Sequence, residues 1–393
     1  MSAPQAPAAS NSERDLRIDF LRGLVMLVLV VIHIEVVSLL TFLVWERVGL
    51  ISGGEGFVIL SGVVLGMVSR KRVETRGWSY AVSRLVDRAA QLYRVNVALV
   101  LSIALLTLLP FLDTTEVRTF TDRFADITYP LFPSLHEGFY RVVGRVLLLR
   151  AGPHQTQILG LYVALLLLTP ALLWMLARGR SGLLLTLSWL AYFAAKMSPY
   201  NLTGAQFENA FPLLIWQVIF VHGLAAGYHR AAVHDFFTRR ARWAFWVAVV
   251  LFTAFFVLAQ CTTNPVVPGW ARLEWIRPEV YNRLRSEWFA KDTLGLLRIV
   301  NYFAALVVAY ALLDRFWPFF QRAFGWFLIP LGQASLYVFI IHLYLVMLIS
   351  NVRPFTFQAD GTSLLVNTGV HGVALLVLWA CVKTRFLYRW IPR

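Results

Sequence analysis

Long apolar runs separated by short basic connections constrain this chain more than any other feature of its sequence. A helix that crosses a lipid bilayer needs about 20 mostly apolar residues. A soluble fold is excluded because 59% of the residues are hydrophobic and only 15% are charged, against about 25% charged in a soluble domain. The runs predict an all-α integral membrane protein, a bundle of about ten transmembrane helices. The predicted spans cover residues 22–45, 54–69, 95–112, 156–178, 182–198, 210–228, 243–260, 297–314, 325–350 and 364–384.

The basic connections predict how the bundle is oriented. Lys and Arg concentrate in cytoplasmic loops, and a majority of them fall on one side if both termini are cytoplasmic. This bias accounts for the net charge of +15, so we expect a lipid bilayer and no nucleic acid as partner. Residues 1–13, rich in Ala, Pro and Ser, predict a disordered tail. Residues 14–393 then form one polytopic transmembrane domain.

Arg22 and His33 bracket the first half of the first run. They are eleven positions apart, which returns to nearly the same helix face, roughly 16 Å along the axis. Arg22 would lie at the cytoplasmic end and His33 near mid-membrane, where an ionisable residue predicts a functional site. His33 is a candidate general base or acyl carrier, and Asp19 a candidate to orient Arg22. The alternatives are an ordinary positive-inside anchor at Arg22 and a His33 that only bonds a neighbouring helix.

Two further stretches are candidates for substrate contacts. Glu55, in GGEGFVILSGVVLG, enters the second span from the outer side and is a candidate to bind or deprotonate a hydroxyl; an exposed interfacial acid is the alternative. The inner connection after that span carries Arg84, Arg88 and Arg94 at helical spacing. Because guanidinium groups bind phosphate in a bidentate manner, they predict a docking site for a phosphorylated ligand. A helix lying on anionic lipid is the alternative.

Weaker polar positions lie in or beside other predicted spans. Asn209 borders the sixth span, and Gln333 and His342 lie in the ninth. Each alone more often makes an interhelical hydrogen bond than catalyses a reaction, but together they predict a polar tunnel. Cys261 and Cys381 form no metal-binding spacing, and we expect no metal. The Walker, HExxH and GxSxG motifs are absent from the sequence, which argues against a pump, a zinc protease and a serine hydrolase.

An ordered series of segments resembles the OpgC family, which is related to the membrane acyltransferase type 3 proteins. The segments are RDLRIDFLRGLVMLVLVVIHI, EGFVILSGVVLGMVSRK, QILGLYVALLLLTPALLWML, NAFPLLIWQVIFVHGLAAG, TLGLLRIVNYFAALVV and PLGQASLYVFIIHLYL. They cover nearly the whole chain after residue 13. Arg22 and His33 match the spacing of an Arg and a His in the first span of the wider superfamily. Arg84 and Arg88 loosely match its basic pair after the second span.

The resemblance implies a ten-helix enzyme of the bacterial inner membrane that moves an acyl group from cytoplasmic acyl-CoA to a periplasmic glucan. Succinyl-CoA or acetyl-CoA is the implied donor. The competing class is a transporter of a polar glycan or lipid, which predicts repeat-related broken helices. The sequence is compatible with an oligomer.

Residues and resemblance combine into one mechanistic hypothesis with three groups of residues. One group would hold the coenzyme A thioester, one would act on the sugar hydroxyl, and one would contact the substrate or stabilise its oxyanion. The groups are, in that order, Arg22, Asp19, Arg84, Arg88 and Arg94; His33 and Glu55; and Asn209, Gln333 and His342.

Overall fold

The computed structural model describes residues 15–122, 127–133, 138–353 and 361–392, with the side chain of Asp122 left out. The predicted disordered tail lies outside these residues. Helices dominate, and the described part of the chain has one small sheet, a hairpin of β1 (Thr119–Asp122) and β2 (Ile127–Pro130). Its register pairs Thr119 with Pro130. The all-α class predicted from the apolar runs is confirmed.

The helices follow one another along the chain with few long connections. In the first half they are α1 Leu16–His33, α2 Thr41–Val44, α3 Gly53–Arg76, α4 Trp78–Leu106, α5 Thr115–Arg118, α6 Phe139–Leu147, α7 Gln157–Ala177 and α8 Ser181–Met197. In the second half they are α9 Leu213–Tyr228, α10 Arg230–Asp235, α11 Arg242–Gln260, α12 Pro278–Trp288, α13 Leu296–Arg315, α14 Trp317–Phe320, α15 Trp326–Gln333, α16 Ser335–Val352 and α17 Gly361–Thr384.

Six segments of the described chain are long and apolar enough to cross a membrane: α4, α7 with the turn before it, α11, α13, α16 and α17. A multi-pass membrane protein is therefore supported. By this measure the predicted count of about ten is not reached. Helix α9 is apolar but has 16 residues, α8 has 17, and α1 carries Arg17, Asp19 and Arg22. The larger count stays a prediction.

The predicted span 22–45 is wrong, because α1 ends at His33. The chain beyond it is not helical until α2. Polar side chains of α17 satisfy the backbone of this break: His371 Nε2 lies 3.1 Å from the Ile34 carbonyl oxygen, and Asn367 donates to the Val37 carbonyl oxygen at 2.8 Å. Non-helical backbone inside a membrane bundle requires such internal partners. The break leaves His33 at the end of a helix rather than in its middle.

The predicted span 325–350 is also interrupted. Helix α15 ends at Gln333 and α16 begins at Ser335, with Ala334 between them outside helical geometry. The Arg22 side chain donates to the Ser335 hydroxyl at this interruption. The interruption therefore places a hydroxyl next to the basic end of α1.

Glycines allow α3 and α9 to pack backbone against backbone. A Cβ atom on Gly66 would lie 2.2 Å from the Leu224 carbonyl oxygen, and one on Gly227 would lie 2.0 Å from the Val63 carbonyl oxygen. Small residues permit this approach in membrane bundles. At the start of α3, a Cβ atom on Gly53 would lie 3.1 Å from the Leu29 side chain of α1, and both residues line the cavity described next.

Candidate active site

A large cavity opens at the end of α1 where His33 lies. Its volume is about 1550 Å³. Seven parts of the chain surround it: the end of α1, the start of α3, the β-hairpin region, α6 with the turn after it, the turn before α7, the loop before α9 and the loop before α13. His33 lines it and is only partly buried. We call this end of the bundle the His33 side, and the opposite end the Arg22 side.

His33 pairs with His342 of α16, and the pair fixes where the protons lie. His342 Nδ1 bonds to the Phe339 carbonyl oxygen, which only accepts, so this nitrogen carries the proton. The other ring nitrogen, Nε2, then accepts from His33 Nδ1 at 2.8 Å. In a neutral imidazole one nitrogen donates and the other accepts. His33 Nε2 is therefore a hydrogen-bond acceptor, the form that a general base requires.

The His342 ring is fully buried behind His33. The two rings are stacked with centroids 5.1 Å apart, and His342 has no exposed surface. Of these two histidines, only His33 lines the cavity. The predicted direct contact of His342 with substrate does not fit this placement, because His33 stands between it and the cavity. Its position suits a residue that orients His33.

His154 and Lys291 complete the surroundings of His33. The His154 ring stands edge-on to the His33 ring at a centroid distance of 6.3 Å, and both residues line the cavity. Lys291 is near enough to interact electrostatically with both histidines. Neither residue was predicted from the sequence, because His154 precedes its predicted span and Lys291 lies in a long loop between two predicted spans. Only the folded chain brings them to His33.

Asn209 lies in the wall of the same cavity, as a candidate substrate contact requires. It is exposed to the cavity at the end of a 3-10 turn, Gln206–Asn209. The neighbouring Glu208 holds the loop before this turn: its carboxylate accepts from the backbone amides of Leu202, Thr203 and Gly204 at 2.6 to 3.0 Å. Asn209 is therefore presented on a fixed loop, with an amide able to donate to a developing oxyanion.

Glu55 has a different environment from the one predicted. It is 1% exposed and forms an ion pair with Arg298 of α13, which is equally buried. Its other oxygen accepts from the Ser52 amide at 3.0 Å and from the Ser52 hydroxyl, closing a capping box at the start of α3. The alternative of an exposed interfacial acid is wrong. Ser52, Gly53 and Gly54 line the cavity and Glu55 does not, so it supports the cavity wall.

The partner of Glu55 carried a signal in the sequence. Arg298 lies within the apolar run LGLLRIVNYF, and a charged residue inside a span usually marks a pair or a site. Arg298 was not among the residues predicted from the sequence. In the structure Arg298 also donates to Glu46 at 2.8 Å and to the Phe289 carbonyl oxygen at 2.9 Å. One guanidinium thus connects α3, α13 and the loop before each.

Arg22 and its neighbours form a second, smaller polar cluster. The Arg22 Nη1 atom lies 3.7 Å from the Asp19 carboxylate, as expected of a residue that orients the guanidinium. Gln333 lies there too, with its amide nitrogen 3.4 Å from Asp19. A role for Gln333 as oxyanion donor beside His33 does not fit this place, because three helical turns of α1, roughly 16 Å, separate Arg22 from His33.

The three arginines of α4 do not act as one cluster. Arg88 is half-buried, donates to Gln91 at 2.7 Å and interacts electrostatically with Tyr162, which interacts in the same way with Arg22. Arg84 is exposed and pairs with Asp87 of its own helix at 3.3 Å. Arg94 is exposed as well and bonds the Ala90 carbonyl oxygen. Of the three, only Arg88 has a neighbour in common with Arg22, the side chain of Tyr162.

The polar tunnel predicted through the bundle is not confirmed. The cavity at Arg22, which Ser61 and Ser335 also line, has a volume of only about 10 Å³ and is separate from the large one. Apolar side chains fill the space around it, among them Val25, Met26 and Phe57. Among the described residues, no three His, Cys, Asp or Glu side chains are grouped so as to hold a metal ion.

One comparison with known proteins identifies a family for the chain. The family model of the OpgC protein matches residues 14–390, nearly the whole chain. No curated protein and no solved structure matches the chain. The resemblance carried by the ordered segments is thereby confirmed, and it indicates a membrane enzyme of the acyltransferase type with a role in glucan modification. The chain belongs to the OpgC family.

Proposed function

We propose that the protein transfers an acyl group from a coenzyme A thioester to a hydroxyl of a glucan that binds in the large cavity. The observation that carries the proposal is His33 Nε2, an acceptor nitrogen at the wall of a cavity of about 1550 Å³. A cavity of this size exceeds the usual 300–1,000 Å³ of small-ligand pockets and suits an oligosaccharide.

The proposed chemistry needs one base and one oxyanion donor. His33 Nε2 takes the proton of the sugar hydroxyl, and the oxygen attacks the thioester carbonyl carbon. A carbon–oxygen bond forms, the carbon–sulfur bond breaks, and the coenzyme A thiolate receives the proton from His33. His342 keeps His33 Nδ1 protonated throughout, and Asn209 is the candidate donor to the oxyanion. Direct transfer is balanced without a covalent acyl-histidine.

The donor is proposed to bind at the Arg22 side. Arg22 and Arg88 are the groups there that suit coenzyme A phosphates, and Asp19 orients Arg22. Arg84 and Arg94 are exposed on α4. Because the space between this cluster and His33 is filled, the pantetheine arm must displace apolar side chains along α1. We propose succinyl-CoA or acetyl-CoA as donor, with the Arg22 side cytoplasmic and the His33 side periplasmic in the bacterial inner membrane.

The test is the mass of a glucan incubated with reconstituted protein and either donor. A gain of one succinyl or acetyl unit is expected, and His33→Gln should lower its rate about 10²- to 10⁴-fold, the usual contribution of a general base. His222→Gln is the matched control, because His222 is an intramembrane histidine outside the cavity, bonded to Trp189. No mass gain with either donor would overturn the proposal in favour of a transporter.

A further inference from the structure

The charge of the large cavity is not explained by acyl transfer to a neutral sugar. Four of the described residues that line it are cations, and one is a carboxylate. The cations are Arg118, Arg145, Arg150 and Lys291, and the carboxylate is Asp292. Lys291 is the cation that interacts with His33. Because cations outnumber carboxylates four to one among these residues, the cavity should concentrate anionic ligands.

The three arginines belong to one wall whose backbone is cross-linked. The Leu131 amide donates to the Arg118 carbonyl oxygen at 2.9 Å, and the Arg150 amide donates to the Arg145 carbonyl oxygen at 2.7 Å. The Gln206 amide joins the same wall by donating to the Leu149 carbonyl oxygen at 2.9 Å. Their side chains therefore start from fixed points around one cavity, which lowers the entropy lost when a ligand binds.

Aromatic side chains stand between these cations. Phe120, Tyr129, Phe132 and Phe211 line the cavity. Aromatic rings offer apolar faces against which sugar rings pack, while guanidinium groups bind phosphate or carboxylate oxygens. The combination suits a carbohydrate that carries negative charge, and neither half alone would indicate one.

Resting on the proposed function, we propose that the acceptor is an anionic glycan and that Arg118, Arg145 and Arg150 bind a phosphate or carboxylate substituent on it. The acyl donor is a poorer explanation of these charges. It arrives from the Arg22 side and delivers its carbonyl carbon at His33, whereas the arginine wall lies on the cavity side of that residue. The three arginines therefore face the molecule that binds in the cavity, which we propose is the acceptor.

The experiment measures binding and transfer with two acceptors, a neutral glucan oligosaccharide and the same oligosaccharide bearing one phosphate monoester. The full-length protein should bind the phosphorylated acceptor about tenfold more tightly, the usual effect of a charge-assisted hydrogen bond. Arg150→Gln should remove that preference and leave binding of the neutral acceptor unchanged. Arg141→Gln is the control, because Arg141 is an exposed arginine of α6 outside the cavity lining.

Equal binding of the two acceptors by the wild type would overturn the inference. So would an Arg150→Gln variant that keeps the preference, or one that alters only the choice between succinyl-CoA and acetyl-CoA, because the charges would then recognise the acyl group. The binding measurement needs no donor. If neither acceptor gains an acyl group, the proposed function fails, while the binding ratio still decides the charge preference.

Discussion

The Glu55–Arg298 pair and the His33–His342 pair each join two helices through polar side chains inside the bundle. The first connects α3 with α13, and both of its residues are 1% exposed. The second connects α1 with α16, and only His342 is fully buried. Both oxygens of Glu55 are occupied, one by Arg298 and one by Ser52. His33 instead has one nitrogen bonded and presents the other at the cavity.

This difference separates a structural polar pair from a chemical one. Burying a charge costs free energy. The Glu55 carboxylate offsets part of this cost through its bonds to the Arg298 guanidinium and to the Ser52 amide at the start of α3. A base has to keep one atom available to substrate and have the other held in place. Both residues attracted attention in the sequence for the same reason, as ionisable groups in apolar surroundings. The contacts favour a structural role for Glu55 and leave one nitrogen of His33 available for the proposed chemistry.

The largest effect that tests this comparison is on stability at Glu55. Glu55→Gln leaves Arg298 buried without its closest counter-charge, and losing one partner of a buried ion pair costs about 3–5 kcal/mol. The free energy of unfolding, measured by denaturant titration in detergent, should fall by this amount. The folded fraction of the variant should transfer acyl groups at close to the wild-type rate.

Glu74→Gln is the control for this loss. Glu74 lies in the same helix and pairs with Arg70 at 2.8 Å, but both side chains are exposed. An exposed helix pair contributes about 0.3–0.5 kcal/mol, so the control should change stability by no more than that. If Glu55→Gln kept its stability and lost its activity, the comparison would be broken and Glu55 would belong to the catalytic machinery.

A smaller effect is expected on activity at His342. His342→Leu removes the acceptor that keeps the proton on His33 Nδ1, so His33 spends less time with Nε2 oriented as a base. We expect kcat to fall about 10- to 100-fold, the range seen when the hydrogen-bond partner that orients a functional histidine is removed. The KM for the acceptor should not change, because His342 does not line the cavity.

A second variant distinguishes positioning from general damage to the fold. His342→Asn retains an acceptor near His33 and should recover part of the lost kcat, whereas a purely structural defect would respond to side-chain volume alone. His222→Leu removes a half-buried histidine of α9 that does not line the cavity, and should leave kcat unchanged. A rise in acceptor KM with unaltered kcat would place His342 in substrate binding instead.

Three uninterrupted spans were predicted accurately, but the predicted span 95–112 is wrong at both ends, because α4 runs from Trp78 to Leu106. The predictions at 156–178, 243–260 and 297–314 differ by one residue at most from α7, α11 and α13, because an apolar run with polar ends determines its own helix. The runs that contain breaks were predicted poorly. The end of α1 depends on His371 and Asn367 from the distant α17, and local composition does not record such partners.

The candidate site shows the same division. His33 could be predicted as a candidate because an ionisable side chain inside an apolar helix costs free energy, and such residues usually mark functional sites. Its pairing with His342 depends on how α1 meets α16, far apart in sequence. The cavity needs the β-hairpin region and the loop before α13 as well, and neither has a sequence pattern that points to His33. The residue types indicated which kind of chemistry to expect, and the tertiary packing determines which residues come together at the candidate site.

The smallest effect expected is the pH dependence contributed by Glu46, which adjoins the Glu55–Arg298 pair. Glu46 accepts from Arg298 at 2.8 Å and from Arg285 at 3.1 Å and is 20% exposed. Burial raises the pKa of Glu46, but the charges and hydrogen bonds of Arg298 and Arg285 outweigh it, and the pKa lies below its ordinary value. A carboxylate with a lowered folded-state pKa stabilises the fold above its unfolded pKa, about 4.3 for Glu.

Glu46→Gln should therefore lower the free energy of unfolding by about 1 kcal/mol at neutral pH, and the difference from wild type should shrink as the pH falls below about 4.3. Unfolding curves at a series of pH values measure this. The control is Glu274→Gln, which changes an exposed acid in the loop before α12. The effect is small because Arg298 keeps Glu55 when Glu46 is lost. A fall in the free energy of unfolding as large as that of Glu55→Gln, or one independent of pH, would contradict this prediction. Arg298 would then depend equally on both carboxylates, and Glu46, Glu55 and Arg298 would form one structural unit.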